Sequence, residues 1–354
     1  MDSFVEIYKA HTRNPENPSE VIDLSPSMNI VPNRWGFVNQ LGLFEHVYGS
    51  MRAFGFNINQ VYETVAEAKP WGERTNFTGG QDGKWVQFEI PHYPLNATIL
   101  PTDIQGKVDF SGGAIAQDIL RTIDGVKADK VIGLRRGLSN ALNKARMQVI
   151  KDGTVTAHNL QYNMYDIFGV TRQEIDLGLE NNLADPKVAI GEVFGTVQDS
   201  ANMDDNIETM VALCSTSFFN ALTTNQYVRE SYLHYNQPQG AGVLNQRMES
   251  GLGLDSRYRT FLYEGIYFVE VRGTFAGDPF IEDGKAYLVP LGTTGVFQTH
   301  FAPADRFSHL NRTAQEVYLF EKLSEDDDQI SLAAQSNFIN ICKRPQLMVT
   351  LSKD

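Results

Sequence analysis

The sequence predicts an α+β protein, and three observations carry that reading. Apolar residues recur at helical spacing over one long central stretch, Ala114 to Lys151; short runs with strand-like alternation lie on either side of it; and no repeat period runs through the chain. With 354 residues, 42% of them apolar and 21% charged, the chain holds enough apolar material for a substantial core. A chain of this length ordinarily divides in two, although one large mixed domain with an insertion suits the same composition.

Taken in order, the first sixty or so residues carry little periodicity and many turn formers, including Asn14-Pro-Glu-Asn-Pro18 and Ser25-Pro26. They read as a disordered tail or as an extended arm. Phe37, Leu41, Leu43 and Phe44 favour the arm, because apolar residues scattered in this way need burial that a neighbouring copy would supply. Between Val61 and Leu100 the pattern is a hairpin. Its second limb puts Val86, Phe88 and Ile90 on one face and Trp85, Gln87 and Glu89 on the other; it follows a turn over Thr78–Gly83 and stops at Pro91. A long two-stranded projection is weak alone, so it must rest on its own domain or on another subunit.

The helical stretch places Ile115, Ile119, Ile123 and Val126, then Leu134, Leu138, Leu142, Ala145 and Val149, on one side. Gly125, Gly133 and Gly137 each weaken it by about 1 kcal/mol relative to alanine, which predicts a kink or break near Gly125. Its polar side is basic, with Lys127, Lys130, Arg135, Arg136, Lys144, Arg146 and Lys151; long basic side chains commonly mark a solvated helix face. Asp152-Gly153 ends the helix and begins a hairpin over Val155–Tyr165, and Thr171-Arg-Gln-Glu174 has the capping-box spacing that opens a further helix. Beyond it the patterns predict a helix over Pro186–Val197, a buried strand over Glu208–Cys214 and helical turns over Phe218–Tyr235. Strands follow over Ile266–Val271 and Ala286–Pro290, with a turn at Glu282-Asp-Gly284. The acidic run Glu325-Asp-Asp-Asp328 reads as a solvated loop, since no glycine spacing of a cation site accompanies it.

The chain offers little chemistry. Its formal charge of −13 disfavours sequence-specific DNA binding. The polar start lacks the apolar stretch of a signal peptide, and no apolar run approaches the roughly 20 residues a membrane span needs, so the reading is a soluble protein made in a cytoplasm. Cys214 and Cys342 each sit in an apolar run and read as buried thiols, not as a disulfide or a metal pair. The seven histidines lack zinc spacing, His300 and His309 included; no phosphate-binding glycine loop or nucleophile elbow is present. No catalytic, metal or cofactor-binding residue is therefore assigned, and no cofactor is expected. Carboxylates are plentiful, so a hydrolase with an acid–base pair hidden in the sequence is the reading from a different class.

Two blocks point to a family. Glu89-Ile-Pro-His-Tyr-Pro-Leu-Asn-Ala-Thr-Ile-Leu-Pro-Thr-Asp-Ile-Gln-Gly106 resembles the segment leaving the extended loop of the lambda-like major capsid protein E family. Gly292-Thr-Thr-Gly-Val-Phe-Gln-Thr-His-Phe-Ala-Pro-Ala-Asp305 resembles that family's second hallmark, and Ala334-Gln-Ser-Asn337 with Cys342-Lys-Arg-Pro345 resembles its C-terminal strand and return. The likeness covers roughly residues 30 to 354 in matching order.

The resemblance implies the Hong Kong 97-type capsid fold of tailed bacteriophages. Its parts would be an N-terminal arm (1–57), an extended β loop (58–100), a peripheral domain (101–185) with a spine helix (114–151), an axial domain (186–310), return strands (311–343) and a C-terminal strand (344–354) back to the axial domain. It also implies a homo-oligomer of hexamers and pentamers in an icosahedral shell, located in the virion, with a portal and scaffolding or decoration proteins as partners and no membrane. Packaged double-stranded DNA would meet it only by weak contact. Trp71, Arg74, Lys84, Trp85, Phe37 and Phe44 are then candidates for subunit contact, and Lys127, Lys130, Arg135 and Arg136 for the DNA-facing inner surface. Some capsids of this fold join a lysine to an asparagine covalently; Lys84 would be the lysine, but an exposed lysine beside a turn is the commoner case and no crosslink is expected. A nanocompartment shell of the encapsulin type, packaging protein instead of DNA, is the alternative within the same fold.

Overall fold

The thirteen residues Ile330–Cys342 form one strand that is buried along almost its whole length, as befits a strand covered on both faces. Around it the computed structural model describes residues 21–30, 36–58, 84–104, 115–181, 185–201, 207–235, 257–275, 278–324, 326 and 328–354. Strands β1 (Ile22–Asp23), β2 (Glu45–Tyr48), β3 (Ala53–Ile58), β4 (Lys84–Glu89) and β5 (His92–Ile99) precede a 38-residue spine helix, Ile115–Asp152. After it come β6 (Thr154–Ala157), β7 (Leu160–Asn163) and β8 (Gln173–Asp176), a helix over Pro186–Ala201, β9 (Thr209–Cys214) and helices over Thr216–Thr224 and Gln226–Tyr235. The remaining strands are β10 (Thr260–Tyr263), β11 (Ile266–Glu270), β12 (Thr274–Phe275), β13 (Asp278–Pro279), β14 (Lys285–Leu291), β15 (Phe297–Phe301), β16 (Tyr318–Leu323), β17 (Ile330–Cys342) and β18 (Val349–Ser352).

Two six-stranded sheets organise these elements. The first runs β1-β16-β17-β15-β2, with β5 also paired to β17, and the second runs β10-β11-β9-β14-β18-β8. The spine helix lies on the first. The middle of its predicted apolar stripe is buried there: Leu134 and Leu138 pack with Ile99, Leu319 and Leu332, and Leu142 with Phe301 and Phe338. Each such side chain removed from water contributes about 1.5–3 kcal/mol, which outweighs the weakness of the glycines. The helix is accordingly continuous through Gly125, where a kink or a break was expected, and the break does not occur. Gly137 has a packing reason instead, since a Cβ there would stand 2.7 Å from the Leu95 side chain on β5.

Three expectations are corrected. The capping-box segment does not open a helix; Gln173–Asp176 is β8, parallel to β18, because its alternation sends Ile175 inward where a sheet edge offers more burial than an isolated turn. The loop hairpin's first limb is β3, upstream of Val61, with Ala53 opposite Glu89 and Ile58 opposite Lys84. Strand pairing runs across the expected segments: β3 overlaps 1–57, β8 joins the second sheet, and β15 joins the first although it lies within 186–310. The described parts of the arm between 22 and 48 pack on their own chain: β1 pairs with β16, β2 runs parallel to β15, Phe37 packs 4.5 Å from Tyr258, and Phe44 meets Phe297 edge-on at 5.5 Å. Phe37 and Phe44 are thus core residues, 4% and 5% exposed, and are withdrawn as subunit contacts.

Candidate functional site: the spine-helix joint and the loop base

The basic side of the spine helix splits into exposed and interior residues. Arg135, 2% exposed, donates to Glu316 Oε1 at 3.0 Å; Lys127 is ion-paired with the fully buried Glu321; and Lys130 lies 3.6 Å from Asp103. Arg136 is exposed. The expected solvated face is therefore corrected: Arg135 is interior, Lys127 and Lys130 are paired within the chain, and of the four DNA-facing candidates Arg136 alone has an exposed side without such a pair among the described residues. The reason is geometric. A helix laid along a sheet leaves flanks on which long side chains fold back over the strands.

Behind those flanks runs a polar stripe at three- and four-residue spacing, Arg135, Ser139, Asn143 and Arg146, all buried. It faces polar groups of the sheet and of the arm. Arg146 donates to Asn39 Oδ1 at 3.0 Å, to His46 Nε2 at 2.8 Å and to Thr299 Oγ1 at 2.9 Å, and its guanidinium lies over the Phe44 ring. Asn143 accepts the Val38 N–H at 3.0 Å, and the Ser139 carbonyl accepts from Asn39 Nδ2 at 3.1 Å. Gly36 lets the arm come this close, since a Cβ there would stand 2.6 Å from the Asn143 side chain. This joint was missed from the sequence, although polar residues recurring beside an apolar stripe at the same spacing were a readable signal. Burial pushes the Glu321 carboxyl up to about 7 despite the Lys127 ammonium against it.

The second region is the base of the loop. Phe54 and Phe56 of β3 stack against Phe88 of β4 at 5.5 and 5.6 Å, and Phe54 lies 3.8 Å from the His300 ring, so the described part of the hairpin rests on its own body. The outer face carries Trp85, exposed as the alternation predicted, while Lys84 is exposed at the end of the strand on the side of Val86 and Phe88. The Trp85 ring covers Gly55, where a Cβ would stand 2.6 Å from it. Trp71 and Arg74 lie outside the described residues. Beside the base is a cavity of about 490 Å³ lined by Met51, Phe54, Trp85 and Phe301, and a larger one of about 800 Å³ lies between Ala141, Lys144 and Gln148 of the spine helix, Tyr93, and the β6–β7 turn.

Neither region assembles a reaction centre among the described residues. No group of three His, Cys, Asp or Glu side chains is placed to hold a metal there. Cys214 and Cys342 are buried free thiols, and burial pushes Cys214 well above the usual thiol range. His300 and His309 are engaged separately, His300 with Phe54 and Gln298, His309 with Asp23 at 3.3 Å. Among the described residues no helix is long and apolar enough to cross a membrane.

An arm, a β3–β4 hairpin, a long helix on one sheet and a second mixed sheet make up a fold of the Hong Kong 97 type. The fold matches a chain described as a prophage capsid protein of E. coli CFT073, with a TM-score of 0.57 at 12% identity over 94% of this chain and 100% of that one. It also matches the capsid of Cyanophage P-SCSP1u, with a TM-score of 0.50 at 11% identity over 90% and 88%. The sequence pattern of the family described as phage major capsid protein E matches residues 20–353, and the chain belongs to that family. Similar curated proteins are the major capsid protein of Pseudomonas phage KPP10, 30% identical with 94% of this chain and 97% of the other aligned, and that of Salmonella phage Felix O1, 25% identical with 94% and 95% aligned.

Proposed function

We propose that the chain is the repeating subunit of an icosahedral phage head, assembled from hexamers and pentamers around double-stranded DNA. The observation that supports this most is collinearity: two phage major capsid proteins align with nearly the whole chain and with nearly their own whole length. A shell works by repeating heterologous contacts that close around rotation axes, and that task asks for no catalytic residue and no cofactor. In this reading the subunit is made in the cytoplasm of a bacterial host, joins the virion, and meets a portal and scaffolding or decoration proteins. Trp71, Arg74, Lys84 and Trp85 contact a neighbouring copy, and Arg136 is the remaining candidate on the DNA side, where contact is weak and salt-dependent.

Electron microscopy of the expressed chain tests the proposal: closed particles or tubes are expected, and a discrete monomer or dimer at high concentration would overturn it. Deleting residues 72–84 should leave a soluble protein that forms no shells. Nuclease-protected DNA in purified particles is expected, whereas a protein cargo would favour the nanocompartment. Boiled, denatured particles should run as monomers, without the ladder a Lys84 crosslink would give.

A further inference from the structure

The arm is held to the spine helix by one contact whose chemistry depends on a proton. A guanidinium has only donors, so the 2.8 Å contact from Arg146 requires His46 Nε2 to carry a lone pair. That fixes the ring as the neutral tautomer protonated at Nδ1, which lies 3.4 Å from the Tyr48 hydroxyl. Arg146 itself is 3% exposed, and among the described residues its fork is met by neutral acceptors, not by a carboxylate. His46 sits on β2, the edge strand of the first sheet, and is exposed enough for solvent protons to reach the ring without prior opening.

We propose that His46 and Arg146 form an acid-sensitive latch, which holds the arm strand β2 on the body while His46 is neutral and releases it once Nε2 takes a proton. Protonation turns the acceptor into a donor and sets two cations at hydrogen-bond distance, one of them buried. The surroundings offer little compensation. Arg135 on the same helix adds positive charge, Glu316 opposes it but is already engaged by Arg135 at 3.0 Å, Tyr48 is a neutral phenol, and Thr299 on β15 and Asn39 in the arm carry no charge. Partial burial of the ring, and then the Arg146 cation, hold the His46 pKa below its ordinary 6.5. The docked arm thus refuses a proton that a released arm accepts. The contribution to docking is complete above 6.5 and is lost as the pH falls below it, through the docked value.

Hydrogen–deuterium exchange of the full chain, read by mass spectrometry at pH 7.5 and 5.5 after scaling for intrinsic exchange rates, tests the latch. Segment 43–49 should lose up to about tenfold of its protection at the lower pH, the most that one pH unit below 6.5 allows, while 285–291 in the second sheet should not change. Unchanged protection of 43–49 relative to that reference overturns the proposal. Glu and Gln lack an imidazole proton switch, but only Gln offers a neutral acceptor near the place of Nε2, so His46→Gln should keep 43–49 protected at both pH values. A His46→Gln protein that loses protection with acid as the parent does, or lacks it at both values, also overturns the latch. If that variant does not fold, the parent's own pH comparison decides.

Discussion

In β9 five of six residues are buried and every buried side chain is apolar or a thiol, and its neighbour β14 buries Ala286 to Pro290 in the same way. The first sheet buries Thr299, Glu321, Gln335 and Asn340, and the spine helix laid on it buries Arg135, Ser139, Asn143 and Arg146. The second sheet's central strands β9 and β14 are held by non-directional burial, which tolerates no water and fixes little beyond contact. The first is held in part by directional bonds that fix register but leave charges whose solvation has been given up. One region is a block and the other a joint, and mutations should separate them.

The largest effect is expected in the block. Phe268, fully buried against Phe218, should cost about 3–5 kcal/mol on replacement by alanine, measured by denaturant unfolding. In the joint, Arg135→Ala should cost about 3 kcal/mol because Glu316 loses its partner, whereas the double change Arg135→Met with Glu316→Leu should return to within about 1 kcal/mol of the parent. If the double change is as damaging as the single one, the joint is not an electrostatic compromise.

The pH dependence sharpens the contrast further. Glu321 is raised from 4.5 to about 7 by burial, so the native state binds its proton more tightly than the unfolded chain does. Its favourable contribution is full below 4.5 and is lost as the pH rises towards 7, opposite in sign to that of His46. Glu321→Gln should therefore flatten the decline of Tm between pH 5 and 8 by a few degrees, about the size expected for a single group in a chain of this length. A Tm profile that declines as steeply in the variant would remove Glu321 from the explanation.

Smaller effects should follow at the margins. Ser215 caps the helix over Thr216–Thr224 by accepting from Phe218 N, and its hydroxyl also accepts the Gly284 N–H, so Ser215→Ala should cost about 1 kcal/mol in an unfolding titration. Arg52 and Asp305 are ion-paired but mostly exposed, and Arg52→Ala should change stability by under about 1 kcal/mol.

The same contrast explains what was legible in the sequence. The spine helix and the loop hairpin announce themselves by period: Leu134, Leu138 and Leu142 recur at helical spacing, and Val86, Phe88 and Ile90 alternate, so the burial of the leucines, Phe88 and Ile90 followed. The arm did not. Phe37 and Phe44 have no local period, and only the parallel pairing of β2 with β15, some 250 residues away, shows that their shelter lies in the same chain. Arg135 and Arg146 looked like solvated cations because charge alone does not reveal whether Glu316 or Thr299 stands opposite. Thr171-Arg-Gln-Glu174 carried a sound local helix signal that the edge of β18 overrode.

Cys214 and Cys342, the only two cysteines in the chain, are both sealed inside at 0% exposure. Any thiol introduced on the outside, at Trp85 or Arg136 for instance, would consequently be the sole position open to maleimide dyes or spin labels. Each copy would then carry a single addressable mark, and the distances between marks would report how one molecule is placed beside the next.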